Sequence, residues 1–436
     1  MALGDKSMKI AVVGLWHLGC VTAACLASIN SVIAYDPDQQ VIDELQRGKT
    51  PIFEPGLDDL LAAAQNNQKL IFSSEPTILA EADIIWITFD TPVDDNDIAD
   101  TLFVTEKIKA IFLYLKQNTL VLISSQLPAG STRKLQSYCA EYYPGKNITF
   151  AYSPENLRLG KAIDVFTKPD RIVIGLQCVE DKARVEALLH PLSHHLIWMS
   201  LESAEMTKHA LNAFLATSVV FINELATLCE QVGANAQEVE RGLKTEERIG
   251  PKAYLRPGNA IAGGTLARDV NYLTQIGQQH NITTPFFSSL LQSNEAHKQW
   301  SCRRLLEVFK ELKNKTITVL GLTYKVGTDT LRRSISIEIC EWLNQQGAKV
   351  LAYDPQVSHL PNNLNAIIQL SPTLSSALTG ADAVIVSTEW PDFCMLSAED
   401  ILSRTQQAIV FDPSGFLRTT LGNDPRIRYF SVGRSA

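Results

Sequence analysis

The same short grammar is written twice in this chain, once near each end, and nothing else in it restricts the fold as much. Near the N-terminus, KIAVVGLWHLG (Lys9 to Gly19) leads through a helical stretch ending at Ala27 into SVIAYDPD (Ser31 to Asp38). Near the C-terminus, KTITVLGLTYK (Lys315 to Lys325) leads through a helical stretch ending at Gln346 into AKVLAYDP (Ala348 to Pro355). Each copy reads as a strand, a Gly-containing turn, a helix, and a second strand with an acid at its end. That is a βαβ unit, because neighbouring parallel strands must be joined by a crossover. The AYDP at both strand ends (Ala34 to Pro37 and Ala352 to Pro355) makes the echo specific. Two doubly wound α/β domains follow, one at each end.

Further Val- and Ile-rich runs supply the remaining strands. ADIIWITF, NTLVLISS, ITFAYSP and RIVIGL lie in the first half, DAVIVST and QAIVFDP in the second. All read as buried parallel strands. Between the halves, Ala204 to Gly233 carries apolar residues at helical spacing without a proline, so one long helix is predicted to join the two domains. It is followed by a Pro/Gly-rich break, RIGPKAYLRPGNAIAGGT (Arg248 to Thr265). Glycines inside an otherwise helical region suggest that something approaches the backbone closely. The reading divides the chain into an N-terminal Rossmann-like domain (8–200), a central helical region (201–309) and a C-terminal Rossmann-like domain (310–436).

Bulk properties exclude several classes. The net charge of -8 argues against nucleic-acid binding, which needs clustered positive charge. No stretch reaches the roughly 18 consecutive apolar residues of a membrane span, and no N-terminal leader is visible. The eight cysteines are scattered, with no C-x-x-C pair, so neither a metal site nor a disulfide framework is expected. A reducing cytoplasm is the expected location.

The first turn, Gly14-Leu15-Trp16-His17-Leu18-Gly19, has the form of a dinucleotide-binding turn, with Trp16 where the middle glycine usually stands. Asp36 lies at the distance where a carboxylate can bond the adenosine ribose, which favours NAD over NADP. A plain βα turn, with Asp36 as a turn residue before Pro37, is the competing reading.

Several ordered blocks then point to a family. They are GKTPIFEPGLDDLL (Gly48 to Leu61), SPENLRLGKAIDVFTKPDRIVIG (Ser153 to Gly175) and AEMTKHALNAFLATSVVFINELA (Ala204 to Ala226). ERIGP, GGTLARDV, GLTYKVGTDTLRRS and TEW add to them. Through these blocks the chain resembles the UDP-glucose/GDP-mannose dehydrogenase family almost end to end. The resemblance implies an NAD domain, a central dimerisation region and a nucleotide-binding domain. It also implies oxidation of a sugar CH2OH to a carboxylate with two NAD, through a cysteine thiolate that captures the aldehyde. A homodimer built on the long helix, a UDP-sugar substrate and a role in polysaccharide precursor supply are further implications.

Carried over by position, Glu155 matches an acid near the hydrolytic water. Lys208 and Asn212, i and i+4 on one helix, match the groups that stabilise oxyanion charge and hold a water or sugar oxygen. Asp269 matches a base or water holder. Arg248, Gly263, Gly264, Lys325 and Arg332 match substrate contacts. Pro92, Ser125 and Gln126 stand beside the cofactor, with Gly14, Trp16, His17, Leu18, Gly19 and Asp36. Taken singly, each has a plain structural alternative: Lys208 a surface charge, Asp269 an N-cap, Arg332 half of an ion pair.

Departures from the pattern fall on functional motifs. The family's GG-x-C-x-x-K-D segment reads Ala262 to Asp269 here, so with Asp269 in register the nucleophile's position holds Thr265. Gln126 replaces a threonine, Leu159 replaces an acid before Gly160, and the late D-G-R-N segment reads Asp412-Pro413-Ser414-Gly415, without its arginine. These substitutions predict NAD-dependent oxidation of a nucleotide-sugar without a covalent thioester. The alternatives are a single oxidation, a redox-neutral epimerase-like use of NAD, or a catalytically silent binding protein.

Overall fold

The computed structural model describes residues 8–94, 99–155 and 157–435. It divides into two compact units, Met1–Ala210 and Leu211–Ala436. The first holds eight strands: β1 (Lys9–Val13), β2 (Ser31–Tyr35), β3 (Leu70–Ser73), β4 (Ile84–Ile87), β5 (Leu120–Ile123), β6 (Thr149–Tyr152), β7 (Ile172–Leu176) and β8 (Leu196–Ser200). Their spatial order is β3-β2-β1-β4-β5-β6-β7-β8. The chain reverses direction across the sheet between β1 and β4, which is the switch point where doubly wound folds bind ligands. The central strands are apolar on both faces because helices cover both sides.

One expectation is corrected. ITFAYSP and RIVIGL do not pair in parallel: β6 and β7 are antiparallel, through Ala151 with Leu176 and Tyr152 with Gly175. The chain comes back beside β6 by way of the short Ala162–Thr167 helix, and then resumes parallel pairing from β7 to β8. Both segments are short apolar runs, so periodicity could not tell their relative direction.

The second unit repeats the plan with six strands: β9 (Thr316–Leu320), β10 (Lys349–Tyr353), β11 (Ile368–Leu370), β12 (Ala383–Val386), β13 (Ile409–Phe411) and β14 (Arg428–Phe430). The order is β11-β10-β9-β12-β13-β14, all parallel. Its switch point lies between β9 and β12.

The predicted long helix runs from Leu201 to Val232. By length and composition it could cross a membrane. Several of its polar side chains are instead buried and bonded within each unit. Glu205 is fully buried against Gly130 and Thr132, and Asn223 bonds Gly258 and Asn259. These bonds mark a core helix of a folded domain.

Candidate functional site

In the N-terminal unit, the turn after β1 is held by backbone geometry that only glycine permits. Gly14 has φ +98°, and a Cβ there would stand 2.7 Å from the Phe89 amide nitrogen. A Cβ on Gly19 would stand 1.8 Å from the Gly14 carbonyl oxygen. The first intrahelical bond of the His17–Ala27 helix runs from Cys20 N to Trp16 O. The preceding amides of His17, Leu18 and Gly19 are therefore its open N-terminal donors, a ready-made site for a diphosphate. Trp16 sits at φ -89°, ψ -160°, which needs no glycine, and its side chain is 45% exposed. The backbone at this position thus does not require the missing glycine, and the residue is in part open to solvent.

Asp36 is buried and ties this turn together. Its Oδ2 accepts from Leu15 N at 2.8 Å and its Oδ1 from Asp38 N at 3.0 Å. Each oxygen retains a lone pair for a ribose hydroxyl. The twin acid Asp354 is more heavily engaged: Leu322 N (2.7 Å), Thr323 N (3.1 Å) and Trp390 Nε1 (3.0 Å) all donate to its Oδ2, and Gln356 N (2.9 Å) to its Oδ1. The two AYDP acids thus share a structural task, and the Oδ2 of Asp36 is the less heavily engaged of the two. The tryptophan of TEW is explained by that bond.

Further residues gather at the C-terminal ends of the same strands. Ser125 is buried and donates to Phe89 O at 2.7 Å, while the Gln126 carbonyl accepts from Thr91 Oγ1 at 2.7 Å. Pro92 is exposed, and its carbonyl accepts from Asp100 N at 2.8 Å. Lys208 is 8% exposed and donates from Nζ to the backbone oxygen of Glu155, whose carboxylate accepts from Leu157 N. A lysine this buried is not a helix-surface charge.

Sequence reasoning missed Glu54, from the FEPGL block. It is 3% exposed, accepts from Gly160 N and Ala162 N at 2.8 Å each, and pairs with His17 Nε2 at 3.0 Å. One carboxylate thereby links the dinucleotide turn to the loop that follows Glu155. The block's signal was present in the sequence, but a lone glutamate before Pro-Gly does not disclose its partners.

In the C-terminal unit, Asn212 donates from Nδ2 to Asp269 Oδ2 at 2.6 Å, with Asn212 6% and Asp269 0% exposed. The bond fixes the Asn212 amide so that its Oδ1 faces away as an acceptor. Asp269 lies one turn into the Thr265–Gln279 helix, whose first residue, Thr265, is exposed. Thr265 and Asp269 share a helix face at i and i+4.

The glycine loop before that helix is closely approached by protein. Gly263 has φ +71°, a Cβ there would stand 3.1 Å from the Tyr324 ring, and its amide donates to Arg333 O. Beside it opens a cavity of about 300 Å³, lined by Ile261, Leu266, Tyr324, Lys325, Ser336 and Ser387 among others. It lies beyond the ends of β9 and β12, at this sheet's switch point. Arg332 is exposed on the same loop as Lys325. Arg248 is not brought to the cavity; its side chain is 88% exposed and pairs with Glu246 at 2.8 Å.

A dinucleotide turn on one doubly wound sheet, and a cavity with a cationic rim on a second, define a dinucleotide-dependent protein with a separate ligand-binding domain. Three family models match in sequence order. The NAD binding domain of the UDP-glucose/GDP-mannose dehydrogenase family covers residues 8–193, its central domain 202–296 and its UDP binding domain 318–419. The chain belongs to the UDP-glucose/GDP-mannose dehydrogenase family, whose members are NAD-dependent oxidoreductases. It is 32% identical to a UDP-glucose 6-dehydrogenase of Rhizobium meliloti over 98% of this chain and 100% of that one. A UDP-glucose 6-dehydrogenase of Bacillus subtilis is 33% identical, with 98% of each covered. Among solved structures, a UDP-glucose dehydrogenase from Pyrobaculum islandicum superposes with a TM-score of 0.86 at 25% identity, covering 100% of both chains.

Proposed function

We propose that this protein oxidises the primary alcohol of a nucleotide-sugar, a UDP-sugar by preference, without a covalent thioester. The observation that carries the proposal is Thr265: the acid one turn below it and the Asn212 that bonds this acid are both buried and ordered, but Thr265 itself offers a hydroxyl instead of a thiol. An unactivated threonine hydroxyl is a far weaker nucleophile at neutral pH. The chain's buried cysteines do not fill the gap. Cys229 and Cys302, the two nearest in sequence, are 4% and 3% exposed in the C-terminal core, and burial pushes the Cys302 thiol up to about 12. Cys20 and Cys25, buried under the dinucleotide turn, are likewise pushed up to about 12. Thiols held protonated are not nucleophiles.

The division of labour then follows. The His17, Leu18 and Gly19 amides take the cofactor diphosphate, Asp36 the ribose, and Pro92, Ser125 and Gln126 the nicotinamide side. NAD, when bound, accepts the hydride from the sugar carbon. Lys208 faces negative charge developing on the sugar oxygen, and Asn212, Asp269 and Glu155 hold and deprotonate the alcohol or a water. Gly263, Gly264, Lys325 and Arg332 bind the nucleotide. Domain limits of 8–200, 201–309 and 310–436 and a cytoplasmic location complete the reading.

With no thiol to trap it, the aldehyde is the first product released. NADH release with UDP-glucose and other UDP- and GDP-sugars tests this: one NADH per sugar, with aldehyde in the product, is expected. A uronate formed with two NADH per sugar from the first turnovers would overturn the single-oxidation reading, and NADH-free interconversion of sugars would favour the redox-neutral one.

The long helix supports a homodimer. Phe214, Phe221 and Leu228, seven residues apart, are 69%, 50% and 60% exposed and form one apolar stripe. A self-complementary stripe of this kind is covered by a second copy about a two-fold axis. Phe221→Asp is expected to shift the protein from dimer to monomer in sedimentation; a variant that still sediments as a dimer places the interface elsewhere.

A further inference from the structure

Glu205, on the long helix, is a carboxylate with 0% exposure that accepts three hydrogen bonds from the start of another helix. Gly130 N donates to Oε2 at 2.6 Å, Thr132 N to Oε1 at 2.8 Å, and Thr132 Oγ1 to Oε1 at 2.7 Å. The helix so capped is Ser131–Tyr142, whose own N-cap residue is Gly130, with φ +90° and no side chain to offer. Burial pushes the Glu205 carboxyl above its usual range, and the three donors oppose that shift.

Helix stability alone does not call for this arrangement. At four other helices the cap is local: Asp38, Asp100, Asn235 and Ser334 each cap the helix they precede. A buried carboxylate is a costly way to cap a helix. What the remote cap adds is a tie between two chain segments. The capped helix follows directly from the loop Ser124 to Gly130, which carries Gln126. The near end of that loop is already pinned by the bonds of Ser125 to Phe89 and of Thr91 to Gln126. Glu205 pins its far end. Three residues on along the long helix, Lys208 donates to the backbone of Glu155. A single helical turn therefore holds the Gln126 loop on one side and the Glu155 loop on the other.

We propose that Glu205 is a positioning residue for the oxidation, setting the Gln126 loop in register with Lys208. This rests on the role given above to Lys208 and Gln126. Displacement of a reacting group by about 1 Å costs on the order of 100-fold in rate. Glu205→Gln preserves volume but turns an amide nitrogen toward a backbone donor. It is expected to lower kcat about 10- to 100-fold while the KM for the nucleotide-sugar and the Kd for NAD move less than about two-fold. Hydrogen exchange at the Gly130 and Thr132 amides reads the cap independently of turnover and is expected to quicken at least about tenfold. Thr132→Val removes one side-chain donor and covers the case in which Glu205→Gln does not fold; a kcat loss of about three-fold is expected. Faster exchange with unchanged kcat, or a kcat loss matched by an equal loss of folded protein, overturns the proposal. A wild-type protein that reduces no NAD with any nucleotide-sugar instead overturns the oxidation reading, and the two failures are distinct.

Discussion

Thr265→Cys is expected to change the product, not merely the rate: NADH released per sugar should rise from one to two, and the aldehyde should give way to a carboxylate. The site already contains what a thiol would need. Thr265 is exposed at the first position of the Thr265–Gln279 helix, so the substitution disturbs no core packing, and a stability change within about 0.5 kcal/mol is expected. A cysteine at a helix N-terminus has its thiolate favoured by the open amides and the helix dipole. Thiolate attack on the aldehyde gives a thiohemiacetal; loss of hydride from that adduct gives a thioester; water then releases the acid and regenerates the thiol. Asp269, one turn below, and Asn212, bonded to it at 2.6 Å, are in place to hold that water. Two measurements check the result. NADH should be counted per mole of sugar consumed, and iodoacetamide should abolish the second equivalent in Thr265→Cys while leaving wild type unchanged. If the variant still stops at one NADH, Thr265 does not occupy the nucleophile's place.

Much of this was legible in the sequence because parallel α/β folds are locally encoded. The repeated strand, turn, helix and AYDP strand disclosed both βαβ units, and the proline-free Ala204–Gly233 stretch disclosed the long helix to within three residues at its start. Hidden from the sequence were features decided by partners distant along the chain. The β6–β7 reversal is one, since an apolar run of four residues carries no sign of its direction. Asp36 and Asp354 are another: identical in local sequence, they differ because Trp390 and the Leu322–Thr323 amides converge on only one of them. Glu54 and Glu205 read as ordinary helix or turn glutamates, yet their carboxylates reach 106 and 75 residues along the chain, to Gly160 and Gly130. Long-range capping of this kind leaves no periodic trace, and it is what sets the loops around the candidate site.

Lys208 carries the second large effect. Lys208 is 8% exposed, and one of its bonds is to the backbone oxygen of Glu155. A positive charge so held is best used where negative charge develops, on the sugar oxygen as hydride leaves. Removing one such stabilising donor typically lowers kcat by about 100- to 1000-fold. Lys208→Ala is therefore expected to lose activity on that scale with every nucleotide-sugar, while NAD binding at the Gly14–Gly19 turn changes less than about two-fold. Lys208→Met separates charge from packing: it keeps the aliphatic stem and loses the ammonium group. If Lys208 served only to anchor the Glu155 loop, Met would restore little of the loop's order, but both variants would raise KM and leave kcat within a few-fold of wild type. If the charge does the chemistry, both lose kcat alike and bind substrate nearly as before. Because the chemical step in Thr265→Cys passes through the same oxyanion, Lys208→Ala in that background should silence the second oxidation together with the first.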